Sequence, residues 1–427
     1  MAIETGFFSR ESKLTPELFF DLMFYTASLS HNRSLDNLVS YLEIRYGIQI
    51  RKQSLDERFS EKTVHFVKAV LSRLIHGQFS EMLFSKEFFS DYHHVRVKDS
   101  TKFNIPGNLA SNYPGNGNGV AGISIQYEFD LKTGQFLDLT ITEAIRNDQK
   151  DGSETAGDVC ANDLVIRDLG YFSVGALKTI GQREAFFLSR LHSSTGVYNE
   201  HGDAIDWKEL YTFMSQNKIE KCEKQVFIGE EKLPVRLAIG LVPPEVYQQR
   251  IRRKQKEEQK RGCKMKDRTR FLQHFNLFVT NADPQKLPLE KIMPLYRFRW
   301  QIELMFKNWK SVFSIHALQK MKEHRYITML YIRLILIVVH LQITNRVQCA
   351  LSKQGQSEDI LSYRKTMNTL KNCFFEILSI LRVGEPMATE LLGKIYRILS
   401  KNHWRERRKK RENYVDNILL FICKPNE

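Results

Sequence analysis

Apolar residues recur at helical spacing through the first ninety positions, then switch to strict alternation near His93. Thr15-Pro16-Glu17 predicts a helix start. It offers a hydroxyl cap, a proline whose missing N–H costs nothing in the first turn, and an acid beside the positive end of the helix dipole. A second helix is expected from Ser34 through LDNLVSYLEIRY, closed by Gly47, because glycine readily takes the left-handed conformation that ends a helix. A third is expected to open at Ser54, with Glu57 at capping-box spacing. Helix, short glycine-containing turn, helix is the outline of a helix-turn-helix, although many helical bundles share it.

From His93 the period is two. Val95, Val97 and Asp99 fall on one face of a strand, and His93 and His94 are expected on opposite faces, so neither is read as a metal ligand. After the loop NYPGNGNG, the run ISIQYEFDL places Ile123, Ile125, Tyr127, Phe129 and Leu131 on one face. The turn LKTGQ and the run FLDLTIT complete a hairpin. Gly117, Gly119 and Gly122 spell GxGxxG, but a strand follows where phosphate binding would need a helix N-terminus. A helix near Gly152 to Cys160, the strand LVIRD ending at Asp168, a helix near Val174 to Ile180 and the strand AFFLSRL come next. Three antiparallel strands followed by alternating helix and strand predict a mixed α/β sheet.

A polar stretch at about 193–274 breaks that rhythm. It carries the strand-like pieces QVFIG and VRLAIGLV and a run from Arg250 to Arg270 with eleven Lys/Arg against three acids, read by itself as a solvated helix or loop. NLFVTN resumes strand character. Beyond Tyr326 the pattern is helical to the end, with a basic cluster at Lys401 to Glu412. The expected division is helical residues 1–90, an α/β region over 91–325 interrupted by a mostly β insertion at about 193–274, and a helical region over 326–427.

The segment YRFRWQIELMFKNWK carries the most chemistry. As a helix it places Tyr296, Arg299, Glu303 and Lys310 on one face, at steps of three, four and seven, and Phe298, Ile302, Met305, Phe306 and Trp309 on another. One side packs into a core. The other presents a carboxylate among cations and a phenol, which suits an acid that binds a metal ion beside a phosphate backbone. A surface helix with an Arg–Glu pair at i,i+4 has the same letters. The positions of Asp99 in the first strand and Asp168 at the end of the fourth favour the first reading. Three converging carboxylates without His or Cys select Mg²⁺ or Mn²⁺. Two such ions roughly 4 Å apart can activate a water or a 3′-hydroxyl and stabilise the leaving oxygen of a phosphoryl transfer.

Composition narrows the partners. A net charge of +15 and a pI near 9.4 favour a polyanion, either nucleic acid or an anionic membrane. Six scattered cysteines without CxxC pairs argue for reduced thiols and against a zinc site. No basic start followed by an apolar run opens the chain, so a cytoplasmic protein is expected. Tyr326 to Ile343 has the length of a membrane span, but it contains Arg333 and His340 and is read as a buried core helix.

The motif KDST around Asp99, IRDLGYF around Asp168 and the full signature Tyr296, Arg299, Glu303, Lys310 stand in one order, with a long gap before the Glu. In these features the chain resembles the DDE transposases of bacterial insertion sequences, in the group named for its Tyr-Arg-Glu-Lys signature. The resemblance implies an RNase H-like catalytic core with a mostly β insertion, flanked by helical regions, the first of them DNA-binding. It implies Asp99, Asp168 and Glu303 as catalytic, metal-binding residues, with two Mg²⁺ or Mn²⁺ ions. It implies Tyr296, Arg299 and Lys310 as contacts to double-stranded DNA at the element ends, and a homodimer on paired ends that moves DNA by cut and paste beside the nucleoid. In some relatives a tryptophan of the insertion stacks on a flipped base. Trp207 is the one tryptophan of the insertion at 193–274 here, with insertion core as its alternative role. Rival readings are a nuclease of the same fold that cuts without joining, a non-catalytic DNA-binding regulator and, more distantly, a basic membrane-associated protein.

Overall fold

The computed structural model describes residues 1–28, 34–76, 89–262, 264–297, 299–353, 361–373 and 385–404, and for residues 28, 261, 300–306, 352, 353, 363 and 385–388 the backbone alone. The basic cluster beyond residue 404 therefore lies outside the described residues. The chain opens with four helices, α1 (Pro16–Ser28), α2 (Leu35–Tyr46), α3 (Lys52–Glu57) and α4 (Glu61–His76). Strands β1 (Val95–Ile105), β2 (Ala121–Asp130) and β3 (Gln135–Glu143) follow, then helix α5 (Asp148–Glu154), β4 (Leu164–Arg167), α6 (Val174–Gln182) and β5 (Phe186–Arg190). Next come β6 (Val197–Tyr198), α7 (Trp207–Gln216), β7 (Lys221–Ile228), β8 (Leu233–Leu241), α8 (Pro244–Arg261), α9 (Asp267–Phe271) and β9 (Phe275–Thr280). Helices α10 (Leu289–Arg297), α11 (Arg299–Phe313), α12 (Glu323–Lys353), α13 (Tyr363–Asn372) and α14 (Glu385–Asn402) complete the order. The sheet has nine strands in the order β3-β2-β1-β4-β5-β9-β8-β7-β6, and both parallel and antiparallel neighbours occur. This is the mixed α/β class expected from the sequence, with helices at both ends.

The residues fall into two compact units, and β1 and α11 each run from one into the other. The first holds α1 to α4, the second half of β1, the β2–β3 hairpin and the described residues from Glu303 to 404. Its helix ends follow the predicted caps. The Leu18 N–H donates to Thr15 Oγ1 at 3.4 Å, the Asn37 N–H donates to Ser34 Oγ at 3.2 Å, and Gly47 ends α2 at φ 66°. The predicted capping box fails: α3 already starts at Lys52, so Ser54 and Glu57 lie inside it, and the long helix α4 opens only at Glu61. Strand β2 is buried along its whole length, polar residues included, where alternation had suggested one buried face. The long helix α12 packs against α1 and α4. Its most apolar stretch is 83% buried, so its all-round hydrophobicity is matched by protein.

The second unit is built on the first half of β1. Strand β1 pairs in parallel with β4, and β4 with β5; β9 then runs antiparallel between β5 and β8, and β7 and β6 extend that side. The polar stretch at 193–274 thus contributes β7 and β8 to the main sheet, since β8 pairs with β9 over Arg236–Leu241. One core binds these elements: Val165, Leu177, Ile180, Phe187, Leu237 and Val279 pack with Trp207, Leu210 and Met214 of α7. The basic run begins as helix α8, tied down at its start. Tyr247 stacks on His274 at 3.8 Å, and Arg250 donates to the carbonyls of Gln273 and Phe275 and to Asn276 Oδ1.

His93 and His94 precede β1 instead of lying in it. Their rings are 4.1 Å apart, so they do not face opposite ways as the strand reading required.

Candidate active site

Two parallel strands bring the two aspartates together. Lys98 of β1 is in register with Arg167 of β4, so the next residues, Asp99 and Asp168, stand at neighbouring positions. Alternation then divides the work along β1. Lys98 points into the protein, its side chain 1% exposed, and Asp99 takes the other face. Asp168 leaves the strand, and its carbonyl accepts from the Tyr171 N–H at 3.0 Å across a short 3-10 turn.

Arg299, the first residue of α11, reaches both acids. Its Nη1 donates to Asp99 Oδ2 at 3.2 Å, and its Nε lies 3.4 Å from Asp168 Oδ1. The side chains of Arg299 and Asp99 are each 14% exposed, and that of Asp168 is 41% exposed. Charge attraction at such partial burial is screened far less than at an open surface.

Tyr296 closes the inner side. It lies in the last turn of α10, packs on Phe278 at 5.0 Å, and donates from its hydroxyl to the Arg167 carbonyl at 3.4 Å. Burial raises its pKa far above the ordinary phenol value, and the charge of Asp168 adds to this, against Arg299 and Arg190. The phenol is therefore a neutral, buried group and not the exposed one the single-helix reading implied. The signature residues are carried on two helices, α10 and α11; Phe298, between them, lies outside the described residues.

Glu303 is one helical turn beyond Arg299 on the backbone of α11, and its side chain lies outside the described residues. Lys310, farther along α11, donates to the Lys102 carbonyl at 3.4 Å, with its Nζ 5.9 Å from the Phe103 ring, and burial lowers its pKa. Trp207 is 8% exposed and packs in the core beside Phe275 at 5.8 Å.

Two features were not legible in the sequence. The point a Cβ would occupy on Gly170 lies 3.7 Å from Asp148 Oδ2 and 3.9 Å from Asp168 Oδ2, so Asp148 belongs to the same acidic neighbourhood. Its place as first residue of α5 was the only local sign. The other is a buried network behind Asp99. Lys98 contacts Asp151 at 2.8 Å and Thr155 at 2.9 Å, Arg146 pairs with Asp151 and Glu154, and Arg167 donates to the Gly152 carbonyl at 2.6 Å.

A second group, His93, Cys160 and Asp163, has ligand-type atoms within 4.8 Å of one another. Its carboxylate already accepts from the His94 and Cys160 N–H groups and from Arg96, and lies 3.2 Å from His93 Nδ1. Those bonds account for the buried acid without an ion. Asp99 and Asp168 are different. They are hard oxygen donors, both drawn to one cation and both partly open, and such a donor set fits Mg²⁺ or Mn²⁺.

The mixed sheet, with Asp99 within β1 beside Asp168 just past the end of β4, defines the class as an α/β domain with paired acids on neighbouring parallel strands. Residues 93–339 match the family model described as "Transposase DDE domain", and the chain belongs to the DDE transposase family, with its RNase H-like fold. The chain is 28% identical to the transposase for insertion sequence element IS231B of Bacillus thuringiensis subsp. berliner, over 97% of this chain and 91% of that protein. It is 29% identical, over the same shares, to the transposase for insertion sequence element IS231D of Bacillus thuringiensis subsp. finitimus. With the transposase for insertion sequence element IS1151 of Clostridium perfringens the identity is 26%, over 79% of this chain and 76% of that protein.

Proposed function

We propose that this protein binds the terminal inverted repeats of its own insertion sequence and catalyses cut-and-paste transposition, with Asp99, Asp168 and Glu303 as the metal-binding triad. The observation that carries the reading is the pair Asp99 and Asp168, held at neighbouring positions by two parallel strands and drawn to one guanidinium. The similarity to insertion-sequence transposases supports it along most of the chain.

In this reading a water oxygen attacks a phosphorus at the element border and the bond to the 3′-oxygen breaks. The freed 3′-hydroxyl then attacks a phosphodiester of target DNA, joining the element to it and displacing the target's own 3′-oxygen. Two Mg²⁺ or Mn²⁺ ions, when bound by the triad, would activate the attacking oxygen and stabilise the leaving one. The chain's own groups do the positioning. The Arg299 fork matches a phosphate, and Lys310 supplies a point charge. Tyr296, kept neutral, holds its place through the Arg167 carbonyl and offers no charge that would repel DNA. Trp207 serves the core. The exposed cations Arg252, Arg253, Lys256 and Lys260 of α8 add phosphate affinity. The protein works as a homodimer on paired ends, in the cytoplasm beside the nucleoid.

The test is cleavage of a plasmid that carries the gene with its native flanking DNA, in Mg²⁺, comparing wild type with Asp99→Ala. Metal-dependent breaks at the element borders and joining to new DNA, both absent in the variant, are expected. Breaks without joining would make the protein a nuclease; binding to the flanks without breaks would make it a regulator.

A further inference from the structure

We propose that Arg299 is a built-in counter-ion for the metal site: without DNA its guanidinium occupies the cation position between Asp99 and Asp168, and divalent metal binds there in competition with it. This rests on the reading of the two aspartates as metal ligands.

The argument is electrostatic. Parallel register forces Asp99 and Asp168 side by side, and Asp148 adds a third carboxylate near Asp168. Such a cluster repels itself unless a cation lies in it. Arg299 supplies that cation, 3.2 Å from one acid and 3.4 Å from the other, through two different nitrogens of one planar group. The guanidinium is charged at every working pH, so it cannot leave by losing a proton. It leaves only if another anion takes it, and a DNA phosphate is the partner that best matches its fork. The two equilibria are then linked. Metal displaces the arginine and makes it available to phosphate, and phosphate removes the arginine and opens the acids to metal, by the same factor in each direction. A protein built this way holds divalent ions weakly until DNA is in place. Tyr296 also feels the charge of Asp168, but it is neutral and supplies no cation.

The experiment is Mn²⁺ binding to the DNA-free full-length protein, read by electron paramagnetic resonance of the free ion, so catalysis does not enter. Arg299→Gln is expected to bind Mn²⁺ on the order of tenfold more tightly than wild type, within the range of ordinary coupling energies. Adding a DNA duplex that carries the gene's flanking sequence should tighten Mn²⁺ binding to wild type more than to Arg299→Gln. Asp99→Asn and Asp168→Asn should each weaken binding. Equal or weaker Mn²⁺ affinity in Arg299→Gln, with the Asn variants still weakened, overturns the counter-ion role and leaves the triad standing. Unchanged affinity in the Asn variants overturns both. If thermal melting shows that Arg299→Gln does not fold, Arg299→Met decides, because it removes the charge and keeps much of the aliphatic length. A several-fold gain in affinity then supports the proposal, and an unchanged affinity overturns it.

Discussion

Lys98 and Asp151 form an ion pair with 2.8 Å between Nζ and Oδ2, their side chains 1% and 5% exposed. Lys98 is the residue before Asp99, so the pair fixes the part of β1 that presents the candidate metal ligand. Asp151 is held a second time by Arg146, and Lys98 a second time by Thr155, which gives the buried charges the extra bonds they need. Removing one partner leaves the other underpaired in a dry site, Lys98 with Thr155 and Asp151 with Arg146. Lys98→Ala and Asp151→Ala are each expected to cost about 3–5 kcal/mol of stability. Urea denaturation measures it; a loss under about 1 kcal/mol would show that water reaches the pair.

Glu303→Gln removes a charge and keeps a shape. Under the proposed function it abolishes cleavage while end binding stays near the wild-type level, because affinity comes mainly from cations on phosphates. Gel-shift and cleavage assays on the same end fragment separate the two. Wild-type cleavage by the variant would remove Glu303 from the triad.

Much of this was legible in sequence where the signal is local. Ser34 and Gly47 bound α2 because a side-chain oxygen and a left-handed residue act within one turn of their own positions. The β2–β3 hairpin was readable from alternation and a glycine turn. The failures are long-range or ambiguous. Ser54 and Glu57 fit a capping box by spacing, yet the chain had already turned helical at Lys52. The place of β7 and β8 in the main sheet depends on pairing with β9, which no local pattern encodes. Asp99 stood out by its place in the first strand and Asp168 by its place at the end of the fourth; that one arginine joins them depends on a residue 200 positions from Asp99.

His340 lies inside the helix that imitates a membrane span. Its Nδ1 donates to the Leu336 carbonyl at 2.5 Å and its ring packs edge-on against Phe313. Burial pushes its pKa down to about 4; hydrogen bonding to the Leu336 and Leu370 backbone opposes this, while Lys371 adds to it. The folded form therefore takes up the proton less readily than the unfolded form, whose value is near 6.5. The stabilisation is complete above pH 6.5 and is lost as pH falls toward 4, by about 3 kcal/mol in all. Denaturation curves across that window should show wild type losing stability and His340→Gln changing less. Parallel slopes would mean that other groups set the acid sensitivity.

Helix α8 offers a test of charge apart from chemistry. Arg252, Arg253, Lys256 and Lys260 are exposed, at spacings that bring them to one side of the helix. If they meet phosphates, replacing all four by Gln lowers the slope of log affinity against log salt by up to about 0.9 for each phosphate left without its cation. Binding to end DNA measured across a salt titration gives the slope. An unchanged slope would make the stripe a solvated surface.

Trp309 precedes Lys310 and is fully buried between Tyr127 and Phe136, with ring centroids 5.4 and 5.7 Å away. These rings come from the two strands of the β2–β3 hairpin, so the tryptophan pins α11 to that hairpin. Trp309→Ala leaves a cavity that a rigid sheet cannot close, and a loss of about 3–5 kcal/mol is expected. Trp309→Phe keeps most of the ring and should lose less. Because Lys310 depends on the same anchor, the alanine variant should weaken end binding even at temperatures where it remains folded, and Lys310→Ala should weaken it without the stability loss. Melting curves and gel shifts on the three proteins distinguish the effects. If Trp309→Ala keeps full end binding while folded, α11 is held in place by something other than this aromatic cluster.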